Sequence, residues 1–304
     1  MGNSASALER YRYHFDNPKI GDLDLTYMKV YEINDEASAE AAEEFLSDKR
    51  ILYVDCEGHY FGNPEQKLGT VQIATSPDCC LVFHITKYRK SLDFLKKLFE
   101  SDHVQKVFHD CSGDSSVLYK ENRIQLTSWS VDDTQIAHKC IESAKIGKPI
   151  YPATGRSLAD LYRIYCGKSI PGNKRVKRDS SAVSGMNMWI DNHLSPRMIK
   201  YAVVDALAIC EIFTVQQRML RKTSQYEELI KVQLQAKRKN SDVRIGTTQQ
   251  LETPGSSNWG LYAAGVGAAA IFALGATAAM AGKDEKDKRK EDEDQQKKDE
   301  CIIS

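Results

Sequence analysis

The chain has 304 residues, and its 42 lysines and arginines balance 42 aspartates and glutamates. This length predicts one domain of moderate size with room for tails, and the zero net charge excludes a uniformly basic nucleic-acid-binding protein, so any attraction for phosphate must be local. The 8 cysteines show no paired C-x-x-C spacing, and no signal sequence is evident. We therefore expect a reducing, cytosolic or nuclear-type compartment and not a secreted disulfide framework.

The predicted elements begin after residues 1–26, which show no clear periodicity. Strands are predicted at about 28–31, 51–56, 68–75, 80–85 and 105–108. Helices are predicted at about 37–46, 91–100, 114–121, 133–142, 157–166 and 195–220, the last continuing through basic residues to Lys239. Strands followed by alternating strands and helices indicate the α/β class, with a mixed central sheet flanked by helices and a C-terminal helical extension.

Asp55 and Glu57 stand two residues apart at the end of an apolar run. Residues two apart in a strand point to the same face, so both carboxylates would project from the carboxyl end of one strand. Asp114 follows another apolar strand at a place where a helix should begin, and the positive end of that helix suits a carboxylate. The chain therefore places three acids at the ends of two predicted strands.

Tyr201 and Asp205 stand four residues apart, so on a helix they would stack on one side. Together with the three earlier acids they make a set of four carboxylates and one phenol in fixed order. Hard oxygen ligands suit Mg²⁺ or Mn²⁺ and not zinc. Because uncompensated carboxylates repel one another, bound cations would stabilise such a cluster.

Each signal taken alone also has an ordinary structural interpretation. An acid after an apolar run is typical of a strand end, Asp114 and Asp133 could simply cap helices, and His109 is interpreted as a structural residue at a strand end. Cys79 and Cys80 would point to opposite faces of a strand, which favours packing over metal binding. The order and context of the acids favour a cation site over these separate interpretations.

Five segments between residue 50 and about 215 carry a resemblance to a known family. In chain order they are VDCEG, KVFHDCSGDSSVLY, DDTQIAH, RSLADLYRIYCG and HLSPRMIKYAVVDA. Together they resemble a DEDDy-type 3′–5′ exonuclease domain of the ribonuclease D superfamily, and the details are closest to its Egalitarian-like branch. Trp189 stands where that family commonly has a tryptophan.

The resemblance implies a ribonuclease H-like fold and two-metal hydrolysis of single-stranded RNA or DNA from a free 3′ end. By analogy, Asp55 would bridge two Mg²⁺ or Mn²⁺ ions, and Glu57 and Asp205 would bind the ion on the nucleophile side. Asp114 would support the second ion. Tyr201 would orient the attacking water, because an unperturbed phenol with a pKa near 10 is a poor base at neutral pH.

A competing hypothesis keeps the fold without the chemistry: a catalytically weak or inactive RNA-binding adaptor. An inactive descendant could tolerate the loss of an acid or of the tyrosine. All five residues are present here, which favours the enzyme.

A basic loop lies between the last two predicted helices of the domain. It would either serve as a solvated connector or steer phosphate towards the site. Its cations are Lys174, Arg175, Lys177 and Arg178. A second set of basic residues lies along the C-terminal helix and could meet nucleic acid or anionic lipid.

Residues 261–281 carry no charge and are just long enough to span a bilayer, although alanine and glycine make insertion marginal. The alternatives are a flexible stretch and a packing helix. We expect a membrane tether with the nuclease domain facing the cytosol. The modest hydrophobicity of the segment and the basic residues that follow it would suit the outer mitochondrial membrane. Two lipidation patterns offer another anchor: the start of the chain fits myristoylation at Gly2, and its end fits prenylation at Cys301. A spanning tail would carry Cys301 across the bilayer, so the tail anchor and cytosolic prenylation are alternatives.

The predicted organisation has five parts. They are an N-terminal segment (1–26), the exonuclease domain (27–220), a basic helix and linker (221–258), an apolar segment (259–282) and a charged tail (283–304) with its CaaX-like end.

Overall fold

The computed structural model describes residues 4–59, 61, 64–147, 155–170, 189–190 and 194–235. All of them lie in the first of two units, 1–248 and 249–304, into which the chain divides. The strands are β1 (Lys19–Ile20), β2 (Leu23–Asp24), β3 (Lys29–Ile33), β4 (Ile51–His59), β5 (Lys67–Ser76), β6 (Cys79–His84), β7 (Gln105–Phe108) and β8 (Val131–Asp133). The α-helices are α1 (Ser4–Leu8), α2 (Glu36–Leu46), α3 (Ser91–Glu100), α4 (Ser112–Asn122), α5 (Thr134–Ile146), α6 (Leu158–Cys166), α7 (Pro196–Gln216) and α8 (Ser224–Gln235).

Six strands form one mixed sheet in the order β3-β6-β5-β4-β7-β8. β5 runs antiparallel to its neighbours β4 and β6, whereas β3 pairs with β6, β4 with β7, and β7 with β8 in parallel. Parallel neighbours need crossover connections, and helices supply them here. The prediction of an α/β fold with a mixed central sheet and flanking helices is confirmed.

The two faces of the sheet bury separate apolar cores, because successive strand residues point to opposite sides. In β6, Cys79, Leu81 and Phe83 join the core that contains residues of α2, α3, α4 and α8, which we call the α4-side core. Cys80 and Val82 join the core with α6 and α7, the α7-side core. The two neighbouring cysteines therefore pack on opposite faces, as predicted.

Local sequence signals set the ends of the helices that carry the site. The Asp133 carboxylate caps α5 by accepting hydrogen bonds from the backbone N–H groups of Gln135 and Ile136, as predicted for this residue. Ser195 caps α7 through its hydroxyl, and Pro196 occupies the first turn, where its missing N–H costs nothing. Capped starts of this kind place the first turns of α5 and α7 beside the sheet.

The prediction of one helix that continues from residue 195 through the basic C-terminal residues is wrong. α7 ends at Gln216, and α8 begins at Ser224. Leu220, between them, contacts both cores, so the break carries the chain from one face of the sheet to the other. A single straight helix could not bury the apolar side chains of α8 on the α4 side, which are Tyr226, Ile230 and Leu234.

Helix α1, the hairpin β1–β2 and strand β8 were not predicted from the sequence. The hairpin β1–β2 contacts the end of α6, where the Asp22 carboxylate accepts hydrogen bonds from the backbone N–H (2.6 Å) and hydroxyl (2.8 Å) of Ser169. Gly21 has φ +59°, and a Cβ there would lie 2.5 Å from the Ser169 carbonyl oxygen, so only glycine fits the turn. The three-residue strand β8 is too short to show an alternating pattern.

Within the ranges that the structure describes, no helix is both long and apolar enough to cross a bilayer. The predicted apolar segment 259–282 and the charged tail 283–304 lie outside those ranges.

Candidate metal centre

Asp55 and Glu57 lie inside β4, which continues two residues past Glu57. Tyr53, two residues before Asp55, belongs to the α7-side core, so the alternation of the strand turns both carboxylates towards α7. The pairing of β4 with β5 is irregular between Glu57 and Gly58. The two acids therefore sit where a regular central strand begins to deviate, which opens space in front of them.

Asp205 approaches the same place from α7. It is buried, with 8% of its surface exposed, and its neighbours along the helix are almost all apolar and buried. One carboxylate oxygen from each of Asp55, Glu57 and Asp205 can be chosen so that all three lie within 4.8 Å of one another. Opposite ligands of Mg²⁺ are separated by about 4 Å, so this spacing fits a shared divalent cation after a small adjustment.

Asp114 reaches the cluster from the other side of the sheet. It lies in the first turn of α4, where a carboxylate is stabilised by the positive end of the helix. Its side chain accepts a hydrogen bond from the Cys56 thiol, and Cys56 stands between the two acids of β4. The fourth acid is thus held beside the other three, although it is contributed by a separate element.

The carboxylates destabilise one another in the absence of a cation. Burial, followed by the charges of Glu57, Asp114 and Asp205, raises the pKa of Asp55 well above its usual value. Burial also raises the pKa of Asp114 and that of Asp205 to about 7 each. Among the described residues, no lysine or arginine forms an ion pair with Asp55, Asp114 or Asp205. A cluster of this kind favours an external cation.

Tyr201 lies one helical turn before Asp205, and its hydroxyl donates a hydrogen bond to that carboxylate. Burial and then the charge of Asp205 raise its pKa far above the usual value. The centroids of the Trp189 and Tyr201 rings lie 6.3 Å apart. The backbone carbonyl oxygen of Trp189 lies so close to Gly69 that a Cβ at residue 69 would be 2.0 Å from it, so this approach requires glycine. Tyr201 is therefore positioned as a hydrogen-bond donor to Asp205.

All five residues line one cavity of about 690 Å³. Its remaining walls come from the turn after β7, the start of α5, residues before α6, and α8. The other residues on the walls are Cys56, Phe61, His109, Asp110, Gln135, Gly155, Arg156, Ser157, Leu158 and Gln233. The four acids and Tyr201 therefore share one cavity.

A family model described as a 3′–5′ exonuclease, DNA_pol_A_exo1, matches residues 30–221. The chain belongs to this 3′–5′ exonuclease family. The predicted 3′–5′ exonuclease domain is thereby confirmed. Exonucleases of this fold use divalent metal ions, and the acid cluster described above is compatible with that requirement.

Solved structures share the fold of this exonuclease domain at low sequence identity. RNase D from Trypanosoma brucei gives a TM-score of 0.54 at 13% identity, over 77% of this chain and 78% of that chain. Brucella melitensis NrnC bound to pGG gives 0.53 at 21% identity, over 75% and 100%. The EXO domain of Aedes aegypti Nibbler gives 0.51 at 18%, over 71% and 99%. A comparison with curated proteins gives no match.

His109, interpreted from the sequence as structural, follows β7 directly and also lines the exonuclease cavity. Its Nδ1 lies 2.8 Å from the Thr134 hydroxyl, and its ring also bonds to the backbone of Arg156. Burial lowers its pKa, with partial compensation by the charges of Asp133 and Asp110. His109 therefore joins three segments of the cavity wall.

Sequence reasoning did not single out Gln135, Arg156 or Gln233 as cavity residues. Gln135 and Arg156 stand in the segments DDTQIAH and RSLADLYRIYCG, whose positions beside the motifs were a usable signal. Gln233 carried no signal, because it lies beyond the resemblance.

Several predicted residues cannot be placed. The basic-loop cations Lys174, Arg175, Lys177 and Arg178 lie outside the described residues, as do Gly2 and Cys301. Their assignments remain predictions. Of the basic residues after α7, Lys222 pairs with Asp132 at 2.7 Å and Lys231 pairs with Glu228 at 3.5 Å.

Proposed function

We propose that this protein is a DEDDy-type, metal-dependent 3′–5′ exonuclease that hydrolyses nucleic-acid phosphodiesters from the 3′ end. One observation carries the proposal: carboxylate oxygens of Asp55, Glu57 and Asp205 lie within 4.8 Å of one another, and all three residues line a cavity of about 690 Å³. Acids that lie together in a cleft and whose pKa values are raised by burial or by neighbouring negative charge form a candidate catalytic site. The family match supports the reaction class.

The donor set fits Mg²⁺ or Mn²⁺, because all its oxygens come from carboxylates. We assign Asp55, Glu57 and Asp205 as direct ligands and Asp114 as the residue that holds a second ion. When bound, two such ions would lower the pKa of the attacking water and offset negative charge on the leaving 3′ oxygen. The protein contributes the positions of the four acids.

Tyr201 has an orienting role in this proposal. Its hydroxyl is already directed to Asp205 by a hydrogen bond, and its raised pKa keeps the proton on the phenol. A protonated phenol can hold a water molecule in line with the phosphate, but it cannot remove that water's proton at neutral pH. Trp189 packs near the Tyr201 ring and restricts its motion.

The substrate that we propose is single-stranded RNA or DNA with a free 3′ end. NrnC, which shares the fold, was solved with pGG, and this supports a nucleic-acid substrate. The choice between RNA and DNA depends on contacts to the 2′-hydroxyl.

A direct test uses 5′-labelled single-stranded RNA and DNA with Mn²⁺ or Mg²⁺. We expect ladders that shorten from the 3′ end, release of nucleoside 5′-monophosphates, and no digestion of strands with a blocked 3′ end. Asp55→Asn and Asp205→Asn should abolish digestion, whereas Asp78→Asn, which changes an exposed acid, should leave it unchanged. Binding without any metal-dependent digestion by the wild-type protein would refute the enzyme and favour the RNA-binding adaptor.

Membrane attachment is a separate proposal, supported by sequence alone. Residues 261–281 are uncharged and basic residues follow them. Fractionation of the wild-type protein, Cys301→Ser and a truncation before Leu261 would separate a spanning tail from a lipid anchor. Recovery of the wild-type protein in the soluble fraction would refute both forms of attachment.

A further inference from the structure

Helix α8 contributes to the exonuclease cavity although it lies beyond the residues that match the family. The match ends at residue 221, and α8 begins at Ser224. Gln233, near the end of α8, lines the cavity and donates a hydrogen bond from its side-chain amide to the Asp110 carboxylate. The cavity therefore depends on a helix that follows the family-matched region.

The contacts of α8 fall on both sides of Asp114 in the sequence. Gln233 bonds to Asp110, four residues before Asp114. The carbonyl oxygen of the next residue, Leu234, accepts a hydrogen bond of 2.9 Å from the Ser115 hydroxyl, directly after Asp114. These contacts hold the start of α4 from two directions.

The turn that Gln233 contacts needs support. Asp110 has φ +54°, a left-handed conformation that costs free energy for a residue other than glycine. Its carboxylate also accepts a hydrogen bond of 3.0 Å from the Ser112 hydroxyl. The Gln233 amide adds a donor from a different element and so links this turn to α8.

The position of α8 itself does not depend on the Gln233 side chain. Tyr226, Ile230 and Leu234 are spaced four residues apart and are buried to at least 96% in the α4-side core. The Tyr226 hydroxyl also donates a hydrogen bond of 2.7 Å to Asp132. A change at half-buried Gln233 should therefore leave the helix in place.

We propose that Gln233 is a positioning residue for the metal centre. By holding the Asp110 carboxylate, it fixes the turn that leads into α4 and thereby places Asp114 against the other three acids. The proposal rests on the cation site assigned under the proposed function. It concerns the affinity of that site and not the reaction.

The test measures Mn²⁺ binding to the full chain by calorimetry, without nucleic acid. Gln233→Ala should weaken the weaker-binding Mn²⁺ site about threefold to tenfold, less than the roughly 10-fold to 100-fold lost when a direct partner of a ligand is removed. The matched control is Gln235→Ala, the same change at an exposed position two residues along α8. It should bind Mn²⁺ like the wild-type protein.

A double-mutant cycle with Asp110→Ala separates positioning from a general structural effect. If Gln233 acts through Asp110, Gln233→Ala should cause no further loss of Mn²⁺ affinity in the Asp110→Ala background. Equal losses in both backgrounds, or wild-type affinity in Gln233→Ala, would overturn the proposal. Mn²⁺ binding by a wild-type protein that digests no nucleic acid would refute the proposed function alone, and the cycle would still decide the role of Gln233.

Discussion

The cavity acids and Asp132 are both buried carboxylates of this domain, but they are compensated in opposite ways. Asp132 is 1% exposed and accepts hydrogen bonds from Lys222 (2.7 Å), Tyr226 (2.7 Å) and Gln105 (2.8 Å). By contrast, Asp205 is 8% exposed, and a single hydrogen bond from Tyr201 opposes the rise in its pKa caused by burial. Within the part of the chain that the structure describes, a lysine pairs with Asp132, whereas no lysine or arginine pairs with Asp205.

This difference distinguishes a structural acid from a candidate ligand. A buried carboxylate with three donors, one of them charged, needs nothing from outside the protein. A buried carboxylate close to three others is unstable as an anion unless a cation binds. Burial of an acid alone would not have separated the two kinds, since both lie in the interior.

The largest expected effect is on catalysis. Asp205→Asn should lower kcat by at least about 100-fold to 1,000-fold, the loss seen when one preorganised electrostatic group is removed. Asp132→Asn should retain near-wild-type kcat per folded molecule, because its partners lie outside the cavity. Steady-state digestion of a labelled single strand measures both. Full activity of Asp205→Asn would contradict the assignment of Asp205 as a metal ligand.

The next largest effect is on stability and is expected for substitution of Asp132. Asp132→Asn should lower the free energy of unfolding by about 2–3 kcal/mol, because it loses charge-assisted hydrogen bonds that join β8 to α8 and leaves buried donors poorly paired. Urea unfolding at pH 7.5 measures this change. Asp16→Asn, the same change at an exposed position, is the matched control and should leave the free energy of unfolding nearly unchanged.

The pH dependence of folding stability in the metal-free protein should further distinguish the cavity acids from Asp132. Asp114 and Asp205 have a pKa of about 7 in the folded state, above the value of about 4 in the unfolded chain, so the folded state binds more protons between these values. Stability should therefore fall as pH rises from about 4 through about 7. Asp205→Asn should reduce this fall, raising stability at pH 8 by about 1–3 kcal/mol, since one pKa unit corresponds to about 1.4 kcal/mol.

Added Mn²⁺ should oppose this loss of folding stability at high pH. At pH 8 a concentration of 100 times Kd should stabilise the wild-type protein by about 2.7 kcal/mol, whereas Asp55→Asn should gain less. Thermal unfolding with EDTA or Mn²⁺ provides the measurement. Equal stabilisation of both proteins would place the bound ion elsewhere.

The smallest effect is expected at Tyr201. Tyr201→Phe should lower kcat about tenfold, a change of about 1.4 kcal/mol, because a water molecule loses one orienting hydrogen bond. If Tyr201 only orients the water, the pH–rate profile should keep its shape in Tyr201→Phe. Disappearance of the acidic limb in Tyr201→Phe would instead assign a proton transfer to the phenol.

The sequence was informative where chemistry follows from local spacing. The two-residue spacing of Asp55 and Glu57 predicted a shared strand face, and the capping role of Asp133 was predicted correctly. The contribution of α8 could not be predicted, because the break after Gln216 depends on which face of the sheet remains uncovered. Gln233 likewise reaches Asp110 across 123 positions of the chain.

The sequence by itself determined the kinds of oxygen donors and the elements that carry them, since periodicity and capping act over a few residues. Only the tertiary structure decided that Asp55, Glu57 and Asp205 converge within 4.8 Å. It also decided that Asp132 accepts hydrogen bonds from Lys222 and Tyr226. Convergence and compensation depend on contacts between elements far apart in the chain. Such contacts form only when the two faces of the sheet are packed.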